Sequence, residues 1–275
     1  MPAINSISAD KLFRLVGTPN CPTIVDLRDE EAAGALIPGS IRRSADDVAA
    51  WLPGLDPGRP AVAVCAGGGG RSAGVAAWLR AAGRSAEILE GGMKAWTAEG
   101  YPLVPVAGLP RRDERGRTIW VTRARPKVDR IACPWLIRRF VDPEALFLFV
   151  APADVADVAE RYGAAPFDVE GVHWSHRGDL CTFDVMVAEL GLGDIEALRR
   201  LSLIVRGADT ARPELAPQAA GLLAASLGLS RMFANDIEQL EAGMLLYDAF
   251  YRWARDAVDE RHDWVSHRPR HKAPA

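Results

Sequence analysis

Cys65 and Arg71 are separated by Ala66, Gly67, Gly68, Gly69 and Gly70, five residues that carry almost no side chain. A cysteine attacks as its thiolate, and cations or helix N-terminal amides nearby lower its pKa. A guanidinium holds an oxyanion through a planar fork of donors. Glycines between the two let backbone amides converge on an anion with no Cβ in the way. Cys65 and Arg71 are therefore the candidate catalytic pair. Ala66 to Gly70 and Ser72 form the candidate oxyanion cradle for attack on an oxyanion-bearing substrate. The same residues also suit a glycine-rich turn beside a buried, inert cysteine.

A second group lies further along. His173 and His176 are the histidines that precede residue 262, and Asp179, Cys181 and Asp184 follow them closely. Imidazole, thiolate and carboxylate together suit a transition metal, and His176, Asp184, Asp209 and Glu241 are the candidate ligands. Upstream, the stretch from Trp120 to Ala145 is basic and aromatic. Arg123, Arg130, Cys133 and Arg206 are candidates for a second oxyanion site or an accessible thiol. A basic face docked on acidic neighbours is the plainer reading of most of these arginines. Carboxylates on the long C-terminal helix, such as Glu238 and Asp248, are expected to be solvated.

These residues need elements to position them. "TIVDL" (23–27), "AVAVC" (61–65) and "SAEILE" (85–90) read as strands, the first two as buried parallel ones. Helical patterns alternate with them: "SADKLFRLV" capped by Ser8, "DDVAAWL", "SAGVAAWLRAAG" and "GMKAWTAEG", with stops at Gly83 and Gly100. This is an α/β unit that sets Cys65 at a strand end and Ser72 at a helix start, where orphan amides attract an anion. Residues 106–118 read as linker, with glycine, proline and clustered charge. A mostly α-helical unit with a few strands follows, beginning at "TIWVTRA". One long helix is expected from Ser230 to about Glu260, with Phe233, Ile237, Leu240, Met244, Tyr247, Tyr251 and Ala254 as its buried stripe. The boundaries are 1–107, a linker at 108–117, 118–262, and a flexible tail at 263–275.

Charge follows the same division. Residues 1–110 hold 10 basic and 11 acidic side chains, residues 111–139 hold 10 and 3, and the remainder 13 and 22. A net charge of -3 and the lack of a helix-turn-helix signal give no reason to expect nucleic acid. Four scattered cysteines, with no C-x-x-C pair, exclude a zinc ribbon and fit a reducing cytoplasm. No signal peptide or membrane span is expected.

Three motifs in residues 1–105 resemble the rhodanese family in order: "IVDLRDEEAAGALIPGSIRRS", the cysteine loop with its helix, and "LEGGMKAWTAEGYPL". The resemblance implies a parallel-sheet sulfurtransferase domain that carries a persulfide on Cys65 and needs no cofactor for sulfur transfer. Its partners are a small sulfur donor or oxyanion and a thiol acceptor. Arg71 and Ser72 map to the closing pair of the loop. Asp26 and Arg28 map to the opening motif, most simply as a salt bridge that holds the fold. Most single-domain members have four residues between the cysteine and the Arg-Ser pair, whereas this chain has five, the spacing of rhodanese-fold phosphatases and arsenate reductases. Those enzymes usually have a histidine before the cysteine, where this chain has Val64.

Residues 118–258 resemble the C-terminal domain of ChrB-type chromate-resistance proteins through "TRARPKVDRIACPWLIRRFVDP", "WSHRGDLCTFDVMVAELGL", "LSLIVRGAD" and "DIEQLEAGMLLYDAFYRWAR". The family pattern runs His, carboxylate, His. His176 and Asp184 match its first two positions, but Arg206 stands at the third, where an arginine cannot ligate a cation. The combined expectation is a sulfurtransferase linked to chromate or oxyanion resistance. The alternatives are a non-catalytic oxyanion sensor or regulatory protein and, beyond that, a phosphatase or arsenate-reductase-like activity.

Overall fold

A computed structural model describes residues 5–29 and 34–261. The tail expected at 263–275 lies outside those residues.

The N-terminal sheet is parallel throughout, with five strands in the order β1 (Ser6–Ile7), β6 (Ala86–Leu89), β5 (Ala61–Val64), β2 (Thr23–Asp26) and β4 (Ser40–Arg42). Successive side chains leave opposite faces of a strand, so each buried strand serves two cores. Ile24, Val62, Val64 and Leu89 face one cluster, while Val25, Ala63, Ile41 and Ala86 face the other. The second cluster takes Val48 of α2 (Val48–Trp51) and Val75, Ala76 and Leu79 of α3 (Gly70–Ala81). The first takes Ala9 and Leu12 of α1 (Ala9–Phe13) and Met93 and Trp96 of α4 (Gly92–Ala98). Ser8 caps α1 through its hydroxyl on the Lys11 amide. Gly83 and Gly100 follow α3 and α4 with φ of +77° and +69°, the left-handed stop that the sequence signalled. A two-stranded ribbon of β3 (Ala35–Leu36) and β7 (Val104–Pro105) lies apart from the sheet.

The C-terminal region is rich in helices, with a small parallel sheet ordered β10 (Ala165–Pro166), β8 (Ile119–Arg123), β9 (Leu146–Val150). Val121 packs with Val155 of α6 (Val155–Tyr162) on one side. Trp120 and Phe147 join the larger core on the other, with α5 (Asp129–Phe140), α7 (Thr182–Glu189), α8 (Glu196–Asp209), α9 (Ala219–Met232) and α10 (Asp236–Asp256).

The expected single helix from Ser230 is two helices. The backbone is extended at Phe233 and Asn235, and the Asn235 side chain caps α10 by accepting from the Ile237 and Glu238 amides at 2.8 and 3.2 Å. Phe233 thus lies between helices and Ile237 is 44% exposed, while Leu240 to Ala254 form the buried stripe. Asp248 is not solvated. It accepts from Trp135 Nε1 at 2.8 Å and from both nitrogens of the Arg139 fork, so it ties α10 to α5.

The two regions share one core. Phe140 ends α5 fully buried, and a Cβ on Gly17 (φ +75°) would lie 2.2 Å from its ring. The Gly39 amide donates to the Phe140 carbonyl at 2.6 Å, Arg43 pairs with Glu144 at 2.8 Å, and Arg255 donates to the Arg14 carbonyl at 2.9 Å.

Candidate functional site

β5 is the central strand, and Cys65 follows it at the carboxyl end of the sheet, where open α/β folds leave a crevice for ligands. Helix α3 starts at Gly70, two residues earlier than Ser72, with Gly69 as its extended cap. The chain must fold tightly between them. Gly68 has φ +70°, and a Cβ there would lie 2.8 Å from the Gly91 nitrogen; one on Gly92 would lie 2.2 Å from the Cys65 carbonyl. Those two glycines are dictated by backbone. A Cβ added at Gly67, Gly69 or Gly70 would meet nothing within 4 Å, so these three leave a ligand's space open.

Cys65 is buried and lines a cleft of about 810 Å3 with Arg28, Asp29, Arg71, Met93, Lys94 and loop residues Ala66, Gly67, Gly69 and Gly70. Burial alone would raise its thiol pKa. Hydrogen bonds from the Ser72 side chain and the Gly67, Ser72 and Gly69 amides outweigh that and hold it below the ordinary cysteine value. Sγ lies 3.2 Å from Ser72 Oγ, which lies 3.0 Å from the Gly69 carbonyl. At these distances the hydroxyl can donate to the Gly69 carbonyl while the thiol is protonated and to sulfur once the thiolate forms. The other three cysteines are pushed the opposite way: burial takes Cys21 up to about 12 and raises Cys133 and Cys181 well above the usual range.

Arg71 does not close over the sulfur. Its guanidinium donates to the Leu27 carbonyl at 3.1 Å and to Asp29 at 3.2 Å, on the cleft wall. Hydrogen bonds, rather than the cation that the Cys-x5-Arg spacing suggested, therefore favour the thiolate. Asp26 is buried and paired with Arg28 at 2.6 Å, and Arg28 also donates to the Ala35 carbonyl, the structural bridge expected of that pair. Asp29 and Lys94 were missed by sequence reasoning, although both sit within the rhodanese-like motifs. A charged residue next to a motif gives no local sign that it faces a cleft.

The C-terminal candidates sort differently. His176 Nε2 lies 3.2 Å from Asp209, 3.4 Å from Asp168 and 3.7 Å from Asp129. Ligand atoms of Asp129, His176 and Asp209 lie within 4.8 Å of one another. Asp184 is not among them. It accepts from the Cys181 amide at the start of α7 and pairs with Arg206 at 3.4 Å, so the arginine meets a carboxylate of its own. Glu241 is also elsewhere, held by Arg138 at 2.6 Å. Arg123 and Arg130 both lie 3.2 Å from Asp168 Oδ2. Cys133 is fully buried one turn along α5 from Asp129 and is no accessible thiol. Asp129 and Asp168, the buried carboxylates, were missed because each stands alone in the sequence. Burial first, then the nearby carboxylates of Asp209 and Asp168, raise Asp129 well above the usual carboxylate range. Burial and Asp168 raise Asp209, against His176. Arg125 donates to the Ser230 and Phe233 carbonyls and pairs with Asp236. With Arg138 on Glu241 and Arg139 on Asp248, most of the basic stretch is docked on its own acidic neighbours.

Residues 8–99 match the rhodanese-like domain family, and residues 120–254 match the family described as ChrB, C-terminal domain. The chain joins a rhodanese-like domain to a ChrB C-terminal domain. It is similar to Protein ChrB of Cupriavidus metallidurans, 36% identical over 155 residues, which is 55% of this chain and 46% of that protein. The chain thus spans less than half the length of that relative. Among solved structures, the rhodanese-related protein of Thermoplasma volcanium is 28% identical, over 37% of this chain and 98% of that one, with a TM-score of 0.33. The rhodanese-like domain protein of Staphylococcus aureus is 34% identical, over 34% and 91%, with a TM-score of 0.32. No helix among the described residues is long and apolar enough to cross a membrane.

Proposed function

We propose that the rhodanese-like domain is a sulfurtransferase that carries a persulfide on Cys65. The observation that supports this best is the contrast among the cysteines: Cys65 lies on an open cleft with its thiol lowered by loop donors, while the other three are raised by burial. In the reaction, the Cys65 thiolate attacks the sulfane sulfur of a donor such as thiosulfate. A sulfur–sulfur bond forms to Sγ as the donor's own bond breaks, and sulfite leaves with the electron pair. The loop amides and the Ser72 hydroxyl then face the terminal sulfur of an anionic persulfide. An acceptor thiolate, or cyanide in the test tube, takes that sulfur and restores Cys65. No net oxidant or cofactor is needed. Lys94, Arg28 and Arg71 line the cleft and give an anionic donor a favourable approach.

The match to a ChrB C-terminal domain supports a role for this activity in chromate or related oxyanion stress, which we assign to a reducing cytoplasm. Thiols consumed in reducing chromate create a demand for sulfur delivery, and all four cysteines of this chain are free. A thiosulfate:cyanide assay tests the reading. Thiocyanate production that vanishes in Cys65→Ser supports it. Saturable chromate or sulfate binding with no turnover would replace it with an oxyanion sensor.

A further inference from the structure

The ChrB C-terminal domain holds three carboxylates, from Asp129, Asp168 and Asp209, around one imidazole. Asp129 is fully buried, Asp168 is 7% exposed, and the charges do not balance evenly. Arg123 and Arg130 both pair with Asp168, and Thr182 Oγ1 donates to it at 3.0 Å. Among the described residues, Asp129 and Asp209 have no such arginine pair. Asp129 Oδ2 accepts from the Thr182 and Phe183 amides at 2.6 and 3.3 Å, but its Oδ1 is buried with no hydrogen-bond donor. A buried carboxylate oxygen without a donor is costly, and carboxylates packed this closely repel one another unless positive charge or a proton joins them.

We propose that Asp129, His176 and Asp209 bind one divalent first-row transition cation of the Mn2+ or Fe2+ class. The donor set chooses the ion. Two carboxylates and one imidazole suit a borderline-hard cation, with water filling the remaining positions, and the set includes no thiolate. Asp168, held by Arg123, Arg130 and Thr182, faces the same Nε2 at 3.4 Å and adds negative charge at the edge of the site. His176 is 42% exposed and Asp209 19%, so the site opens to solvent on their side while Asp129 forms its floor. The three ligands come from the first residue of α5, the segment before α7 and the last residue of α8. Binding there joins elements far apart in the chain, so the bound ion stabilises the folded domain. This site needs neither Asp184 nor Arg206.

The test uses the full chain, stripped with chelator and titrated with Mn2+, followed by loss of the free-ion electron paramagnetic resonance signal. Wild type should take up one Mn2+ per chain and melt at a higher temperature with it. His176→Ala and Asp209→Asn should each weaken uptake by at least about tenfold and abolish the thermal shift. Glu241→Gln should bind like wild type. His176 is partly exposed, so its variant keeps the test readable if Asp209→Asn does not fold. No saturable Mn2+ uptake by wild type, or uptake unchanged in folded His176→Ala, overturns the proposal.

Discussion

The cysteine loop and the carboxylate cluster solve opposite electrostatic problems. Around Cys65 the donors are backbone amides and one hydroxyl, contributed by a contiguous run, and they make room for negative charge beside an open cleft. Around His176 the groups are side chains from distant parts of the chain, and they crowd carboxylates against one half-exposed imidazole. The first arrangement needs bare backbone, so its residues are small. The second needs long-range packing, so its residues mean nothing until α5, α7 and α8 meet. A site built from backbone is written in adjacent letters, and a site built from side chains is written in the fold.

The strongest way to sharpen that contrast is to remove the thiol. Cys65→Ser should lower thiosulfate:cyanide kcat/KM by at least about a thousandfold, as loss of a covalent nucleophile does, with the melt unchanged. Residual activity near wild type would break the link between loop and chemistry.

The next test asks whether the two regions are one cooperative unit. Phe140→Ala should cost about 3–5 kcal/mol, because a fully buried ring between the regions is lost. Unfolding followed by tryptophan emission and by Cys65 reactivity should shift together. A shift in one probe alone would show separate units.

Within the loop, the glycines should not be equal. Gly68→Ala should destabilise by about 1–3 kcal/mol, since it meets both a positive φ and a backbone contact. Gly67→Ala should fold within about 0.5 kcal/mol of wild type. Equal costs in chemical denaturation would contradict the division between fold-required and ligand-facing glycines.

Ser72→Ala tests the thiolate directly. It removes the side-chain donor that favours the charged form, so the thiol pKa rises and the pH profile of iodoacetamide alkylation moves to higher pH. At neutral pH the variant should alkylate more slowly. An unmoved profile would transfer the effect to the amides. Smallest of all, Glu241→Gln should change stability by no more than about 0.5 kcal/mol, as expected for its exposed ion pair with Arg138.

Much of the N-terminal domain was legible because its signals are local. Short continuous apolar runs mark β2 and β5, buried on both faces, Ser8 and Gly83 mark helix ends, and Cys65 stands in an unusual run. Strands β1, β3, β4 and β7 have two or three residues each and exist through their pairing, so they gave no period to read. The break before α10 was hidden because the apolar spacing runs across it, although Asn235 is a cap residue and a readable stop. Asp184 and Glu241 were chosen as ligands by proximity in sequence and by helix position. Packing instead gave each an arginine and brought Asp129 and Asp168 to His176.

Sulfur transfer through Cys65 is tested most directly by intact-protein mass spectrometry after brief exposure to thiosulfate, without reductant. Wild type should gain the mass of one sulfur atom, released by cyanide, and Cys65→Ser should gain none although its other cysteines remain. A sulfur adduct on Cys65→Ser, or none on the folded wild type, would contradict it.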